Sequence, residues 1–334
     1  MNSLDGRAQA GGLSASPLSA ITRWLASGDG LALGAVVVLI LVSAVLAPSS
    51  LSYPALYAML PFAAILGVAA IGQQLVIQQK GLDLSAGGII SLVCVLATYQ
   101  LPDAAPLGTV LGRCLLAIVT AAAAGAINGL LIVRLRIAPL VTTIGMNAVL
   151  MGFVLWLSNG IPGNAPGLLD TFALGRTFGL PNTVLALILV TAVVAIVLNR
   201  TIVGRRFVLS GTNSAAARAA GIRTERYEIG SYVLAAVLYA LAGILLAGLL
   251  KVPNLNVGQT YLLATVAAVV IGGSSLLGGR ASPVATVIGA IFMTQLGQML
   301  IAAGLERSAQ YILQGVIVIV GASVHAILPR WMGR

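Results

Sequence analysis

Residues 54–101 read PALYAMLPFAAILGVAAIGQQLVIQQKGLDLSAGGIISLVCVLATYQL. Two apolar runs, 54–79 and 85–101, stand on either side of Lys80-Gly81-Leu82-Asp83-Leu84, and Asp83 is one of only eight acidic residues in the chain. A helix of about 20 apolar residues, with a range of roughly 17 to 25, crosses the hydrocarbon core of a bilayer. The pair therefore reads as two membrane spans joined by a short polar connection.

The rest of the chain repeats that pattern. Of 334 residues, 59% are hydrophobic and 8% are charged, whereas soluble domains carry about 25% charged residues. The runs are continuous rather than short and alternating, which excludes a β-barrel reading. The expected fold class is an all-α polytopic membrane protein. Ten candidate spans follow: 31–48, 54–79, 85–101, 108–133, 138–159, 181–199, 229–250, 259–276, 283–304 and 308–328. Around them lie a cytoplasmic N-terminal tail, 1–30, read as disordered, and a short C-terminal tail, 329–334.

The net charge of +10 is explained by where the basic residues sit. With the N-terminus inside, fourteen Lys and Arg side chains fall in cytoplasmic segments, and only Arg176, Lys251 and Arg307 fall in outer ones. That bias sets orientation in membrane proteins, so both termini are expected on the cytoplasmic side, and nucleic acid is not needed to explain the charge. Cys94 and Cys114 lie inside apolar runs without metal-ligand spacing, and no catalytic or metal-binding cluster is expected. The two lysines, in KGL and KVP, leave no phosphate loop of the GxxxxGK[ST] type. This chain is expected to bind no cofactor.

The longest cytoplasmic connection, about 204–226, contains a helix signal. Asn213 or Ser214 suits the N-cap, Ala215 to Ala220 favour helix, and Gly221 suits the C′ position. Two turns of alanine-rich helix are marginal in water alone. They are stable if a partner surface receives them, which makes Gly211, Asn213, Ala216, Ala217, Arg218 and Gly221 a candidate docking segment. A helix resting on lipid headgroups is the alternative, although such helices favour Leu, Phe or Trp on their apolar side.

Four stretches, in order, resemble the permease subunits of bacterial ATP-binding-cassette importers of the ribose type. They are GLDLSAGGIISL (81–92), IAPLVTTIGM (137–146), GRRFVLSGTNSAAARAAGI (204–222) and VAAVVIGGSSLLGGRASPVATVIGA (266–290). The resemblance implies a cytoplasmic ATPase partner that uses ATP and Mg, a second permease copy or paralogue, and an extracytoplasmic solute-binding protein. It also implies a place in the bacterial cytoplasmic membrane and a monosaccharide as cargo. The chain departs from the pattern where Ser214 and Ala215 follow Asn213, where Leu262, Leu263 and Ala264 follow Tyr261, and at LGQML (296–300). The same machinery carrying a nucleoside, a branched-chain amino acid or a signalling furanone is the first alternative, and a carrier driven by an ion gradient is the second.

An aspartate at the bilayer centre costs about 2.5–3.5 kcal/mol on insertion scales, so Asp83 needs a reason. Near the membrane edge, Asp83 or Ser85 can cap the third span, with Lys80 as a possible charge partner. A gate element and a proton site are the other readings. The candidate translocation path consists of neutral polar side chains in the spans: Gln73, Gln74, Asn128, Thr142, Thr143, Asn147, Gln295 and Gln298. Amides both donate to and accept from hydroxyls, which fits an uncharged, hydroxyl-rich solute. The same residues can equally serve as hydrogen bonds between helices.

Overall fold

The computed structural model describes residues 28–320 apart from 280, 307, 314, 317 and 318. The expected tail as far as residue 27, the end of the tenth expected span from 321, and the C-terminal tail lie outside the described residues.

The described chain is almost entirely helical. In order it forms α1 (Gly28–Leu46), a 3-10 turn (Pro48–Leu51), α2 (Tyr53–Gln78), α3 (Ala86–Thr98), α4 (Leu107–Leu135), α5 (Pro139–Ser158) and α6 (Gly167–Leu174). A two-residue hairpin, β1 (Arg176–Thr177) and β2 (Leu180–Pro181), leads to α7 (Asn182–Arg200). Then come α8 (Ile202–Thr212), α9 (Ser214–Ala219), α10 (Thr224–Leu250), α11 (Gln259–Ile271) and α12 (Pro283–Ala302). Residues 308–313 are helical at the start of the tenth expected span.

Among the described residues, α2, α4, α5, α7, α10 and α12 are long and apolar enough to cross a membrane. The third and eighth expected spans come out differently. The helices α3 and α11 have 13 residues each, about 20 Å at 1.5 Å per residue, short of the ≈ 30 Å hydrocarbon core. Irregular segments precede each of them, at residues 79–85 and 251–258. The seventh expected span starts earlier, at Thr224, and the connection before it holds two helices, α8 and α9, rather than one. The hydroxyl of Thr201 accepts from Gly204 N to cap the first, and Asn213 Oδ1 accepts from Ala216 N at 3.0 Å to cap the second.

The helices α2 and α10 form the centre. From Ala63 to Gln78 every residue of α2 is buried, and α10 is nearly as enclosed, with Tyr232 and Tyr239 fully buried. In lipid there is little hydrophobic drive between helices, so packing and hydrogen bonds hold the bundle together. Small residues make the close approach possible. A Cβ on Gly72 would lie 3.0 Å from the Ala235 carbonyl oxygen, and one on Gly125 would lie 2.5 Å from that of Tyr232. One turn on, Gly129 faces Ile229. The Gly125-xxx-Gly129 pair thus seats α4 against α10. Around this centre α3 packs on α4, α5 and α10; α12 packs on α1, α2 and α11; and α7 packs on α2.

The end of the bundle that carries Lys251 is tied down by local contacts. Lys251 Nζ lies 3.0 Å from Asp170 Oδ2, and the Lys251 carbonyl accepts from Ala165 N at 2.7 Å, so α6 is pinned across the end of α10. In the hairpin, Phe178 and Gly179 both take positive φ, the geometry of a tight two-residue turn. The Arg176 guanidinium stands 4.7 Å over the Tyr57 ring, and Tyr57 Oη donates to the Gly179 carbonyl at 3.0 Å.

Two outcomes follow. Gly125→Leu is expected to lower the thermal midpoint of the purified protein by the equivalent of about 3 kcal/mol, because the added atoms meet backbone. Gly108→Leu, with open space around it, leaves that midpoint unchanged. The Lys251 hydrogen bond holds the Asp170 carboxyl below its ordinary value of 3.8. A lowered carboxyl contributes stability above its unfolded value and loses it as the pH falls through the folded one. Wild type is therefore expected to exceed Asp170→Asn slightly at neutral pH, and the gap in thermal midpoint should close as the pH falls below the carboxylate range.

Candidate functional site

The connection between α2 and α3 turns back into the bundle. Asp83 and Ser85 are fully buried. Asp83 Oδ1 accepts from Ser85 N at 2.9 Å and from Ser85 Oγ at 2.6 Å, which closes the turn that starts α3. Ser85 Oγ in turn accepts from Asn128 Nδ2 at 2.9 Å. With its amide turned to satisfy every neighbour, Gln73 donates to Tyr239 Oη (2.6 Å) and to the Asp83 carbonyl (2.9 Å), and accepts from Asp83 N (3.3 Å). The segment is thereby held from α2, α4 and α10 together. The expected Lys80 partnership does not form, because Lys80 Nζ donates to the Thr212 carbonyl at 3.4 Å. The Ser85 hydroxyl is also directed to Asp83 rather than to a helix amide.

The starts of α3 and α11 meet inside the bundle. A side chain on Gly258 would strike the Gly87 carbonyl, and one on Gly87 would lie 3.1 Å from Gln259 Nε2. Helix starts leave free N–H groups and a positive dipole end. Here side-chain oxygens answer them: Gly258 N donates to Ser91 Oγ (3.0 Å), and Gly88 N donates to Asn147 Oδ1 (2.6 Å). The amides of Asn147 and Gln259 are also in reciprocal contact at 3.4 Å.

Towards the Lys251 end, two adjoining cavities of about 630 and 480 Å³ share Phe62, Thr260, Tyr261 and Gln310. The first also takes in Ser50, Thr294 and Gln298, and the second Asn254, Asn256 and Gln259. The first is lined mainly by apolar side chains with a few carboxamides and hydroxyls among them, the second more evenly, and neither shows an Asp, Glu, Lys, Arg or His among its described lining residues.

Of the eight neutral polar residues singled out in the spans, only Gln298 lines these cavities, and its Nε2 also donates to the Ser50 carbonyl at 2.8 Å. Gln73 and Asn128 belong to the Asp83 network, and Asn147 to the helix crossing. Gln74 Oε1 accepts from Thr286 Oγ1 at 2.7 Å, joining α2 to α12. Thr142 donates to the Ala138 carbonyl just before α5 at 3.3 Å, and Thr143 to the Pro139 carbonyl at 2.9 Å and the Leu82 carbonyl, beside Asp83, at 3.4 Å. Gln295 Nε2 faces Ser43 Oγ and Ser50 Oγ at 3.5 and 3.4 Å. Sequence reasoning passed over Asn254, Asn256, Gln259, Thr260 and Gln310. The first four lie in NLNVGQT (254–260), a polar stretch between apolar runs.

At the opposite, basic end the 202–219 segment is locked to the centre. Gln79 Nε2 donates to the Phe207 carbonyl at 2.8 Å, and Gly279 N donates to the Gln78 carbonyl at 3.0 Å. Gly211 stands so close to that carbonyl that a Cβ could not fit. Gly278, with φ +83°, passes over Lys80. The GGSSLLGG stretch thus wraps the end of α2 where α8 ends. Beyond this joint α9 buries Ala217 and exposes Ala215, Ala216 and Ala219. Asn213 and Arg218 are exposed as well, and Gly221 takes φ +77° just after the helix.

The family described as branched-chain amino acid transport system / permease component matches residues 55–322. The chain belongs to this permease family. Ribose import permease protein RbsC of Bacillus subtilis (strain 168) is 32% identical over 288 residues, covering 85% of this chain and 88% of that one. RbsC of Escherichia coli (strain K12) is 30% identical over 302 residues, 87% of this chain and 91% of that one. The autoinducer 2 import system permease protein LsrC of Enterobacter sp. (strain 638) is 33% identical over 291 residues, 84% and 82%. No solved structure matches significantly. The permease is a multi-pass protein of the inner membrane, a transport subunit and not in itself an enzyme.

A permease must expose a path and close it. The helix crossing stands next to the second of these cavities, since Gln259 belongs to both. Asn147→Ala removes the acceptor for Gly88 N and one amide neighbour of Gln259. An unsatisfied buried donor costs about 1–3 kcal/mol, and a loss of that size in a thermal-unfolding assay of the purified permease is the expected outcome. An unchanged midpoint would show that the crossing does not depend on Asn147.

Proposed function

We propose that this permease is the membrane subunit of an ATP-driven importer for a monosaccharide. Its cargo arrives from a solute-binding protein, and its energy comes from a separate ATPase that binds ATP and Mg. Ten crossings, two of them made by α3 and α11 together with the irregular segments that precede them, and both termini in the cytoplasm complete this reading, with the basic end inside and the Lys251 end outside. A second permease copy, or a paralogue, supplies the other half of the path.

The observation that carries the proposal is the joint at the basic end. The helix α9 is capped by Asn213 and exposes Ala215, Ala216 and Ala219. It follows directly on α8, which is bound to the end of α2 through Gln79, Gly211 and Lys80. Movement of a protein docked on α9 would pass through this joint into α2 and into the Asp83 turn that α2 holds. Alternation between two packed states requires such a connected element. In this reading Gly211 permits close docking at the joint, and Gly221 releases the chain from α9.

The outer cavities support the choice of cargo. Carboxamides and hydroxyls exchange hydrogen bonds with sugar hydroxyls, and a zwitterionic amino acid would find no charged partner among the lining residues. The ribose permeases named above agree with that chemistry. The similarity to LsrC favours a second cargo, the autoinducer 2 furanone, which is also a small polar solute and would suit the same lining.

Co-purification with the ATPase subunit tests the proposal. Ala216→Trp adds bulk to the exposed face of α9 without touching the bundle, and is expected to lower ATPase capture at least tenfold while insertion and thermal stability stay at wild-type levels. Undiminished capture by a correctly inserted Ala216→Trp permease would remove α9 as the docking element.

A further inference from the structure

A separate feature of the basic end is a cavity of about 470 Å³ between the ends of α4 and α9 and the start of α10. Four arginines, Arg134, Arg218, Arg223 and Arg226, line it with one acidic residue, Glu225. The one ion pair is loose: Arg134 Nη2 lies 3.7 Å from Glu225 Oε2, with both side chains more than half exposed. Arg218 Nη1 donates to Thr224 Oγ1 at 3.4 Å, and Arg218 also attracts the nearby Glu228 carboxylate at longer range, so the four arginines outnumber two carboxylates. Arg218, Arg223 and Arg226 have no carboxylate within ion-pair distance among the described residues. A concave site with this surplus of planar cationic donors suits a phosphate group.

The position says which phosphate. The cavity lies where two apolar spans end, α4 at Leu135 and α10 at Thr224. Beside it the outer face of α4 presents Ile127, Leu130 and Leu135 to the surroundings, and Ile137 follows. An apolar flank leading up to a cluster of arginines at the edge of the hydrocarbon matches a lipid, with acyl chains along α4 and the headgroup in the cavity. Basic pockets between transmembrane helices on the cytoplasmic side bind anionic headgroups in this manner.

We propose that this cavity binds the phosphodiester headgroup of an anionic phospholipid. Arg218 then faces the lipid while Ala215, Ala216 and Ala219 remain on the outward face of α9, so one short helix meets two partners on two sides. The bound headgroup neutralises the surplus charge and holds α9 at a fixed height against the ends of α4 and α10. The proposal rests on membrane residence alone and stands independently of the cargo and of ATPase docking.

Native mass spectrometry of the full-length permease, titrated with phosphatidylglycerol or with phosphatidylcholine, tests it. Wild type is expected to retain phosphatidylglycerol preferentially. Each arginine near a charged surface is worth about fivefold in binding, so Arg134→Ala and Arg223→Ala should each reduce retention about fivefold, and Arg134→Lys should recover most of it. The comparison of the two lipids on the unmutated protein holds even if a variant fails to fold. Equal retention of both lipids, or an Arg223→Ala permease with wild-type preference for phosphatidylglycerol, would overturn the site. Displacement of the lipid by inorganic phosphate at matched concentration would assign the cavity to free phosphate and overturn the lipid source. Loss of ATPase capture in Arg223→Ala with lipid retention unchanged would give the arginines to the protein partner instead.

Discussion

Inside a bilayer no water is available to satisfy backbone N–H and C=O groups, so irregular chain survives there only where protein supplies the partners. This permease has two such stretches, one leading into α3 and one leading into α11, and their helix starts meet. Ser91 Oγ and Asn147 Oδ1 take the exposed amides, and Gly87 and Gly258 allow the two backbones to touch. The backbone of the Asp83 turn is held in the same way by Gln73, and Asp83 Oδ1 takes both groups of Ser85, while Asp83 Oδ2 has no hydrogen-bond partner among the described residues. Much of the polar content of the bundle is committed to this task. Gln298, Asn254, Asn256, Gln259 and Gln310 line the cavities at the Lys251 end instead.

That arrangement makes α2 the connecting member of the molecule. One of its ends takes the joint with α8 and the glycine-rich stretch, and from within it holds the Asp83 turn through Gln73. Further along, it contributes Phe62 to both cavities at the Lys251 end. A rigid helix that touches the joint, the turn and the cavities can relay a displacement without any change in its own conformation. Its complete burial from Ala63 to Gln78 means that neighbours have to re-pack when it shifts, which favours discrete positions over gradual ones.

How much of this was legible in the sequence differs from element to element. The long spans stood out because their apolar runs end at Pro, Gly or charge, and the α9 helix because Asn213 and Gly221 bracket a run of alanine. The third expected span was short already and the eighth ran into IGGSSLLGG, but where each helix stops was not legible, since the chain stays apolar beyond it, at Tyr99 and Leu101 in one case and at Leu276 and Leu277 in the other. Hydropathy records composition and not the direction of the chain. For the same reason NLNVG (254–258) read as a connection, although its return into the bundle makes it a wall of the cavities. Gln73 and Asn128 were visible as unusual residues in spans. Their roles depend on Asp83 reaching them, a tertiary fact that spacing along the chain does not encode.

The bonds that settle α2 reach far along the chain, and this bears on how the protein is made. Gln73 waits for Tyr239, 166 residues later, and Gln74 waits for Thr286, 212 residues later. At synthesis rates of about 5–20 residues per second, α2 spends roughly 10 to 40 s in or beside the membrane before its partners exist. During that interval its buried amides have to be sheltered by the insertion machinery, by bound water or by one another. Gln73 finds the Asp83 backbone within ten residues, so it is Gln74, whose Thr286 partner is made last, that depends most on such shelter.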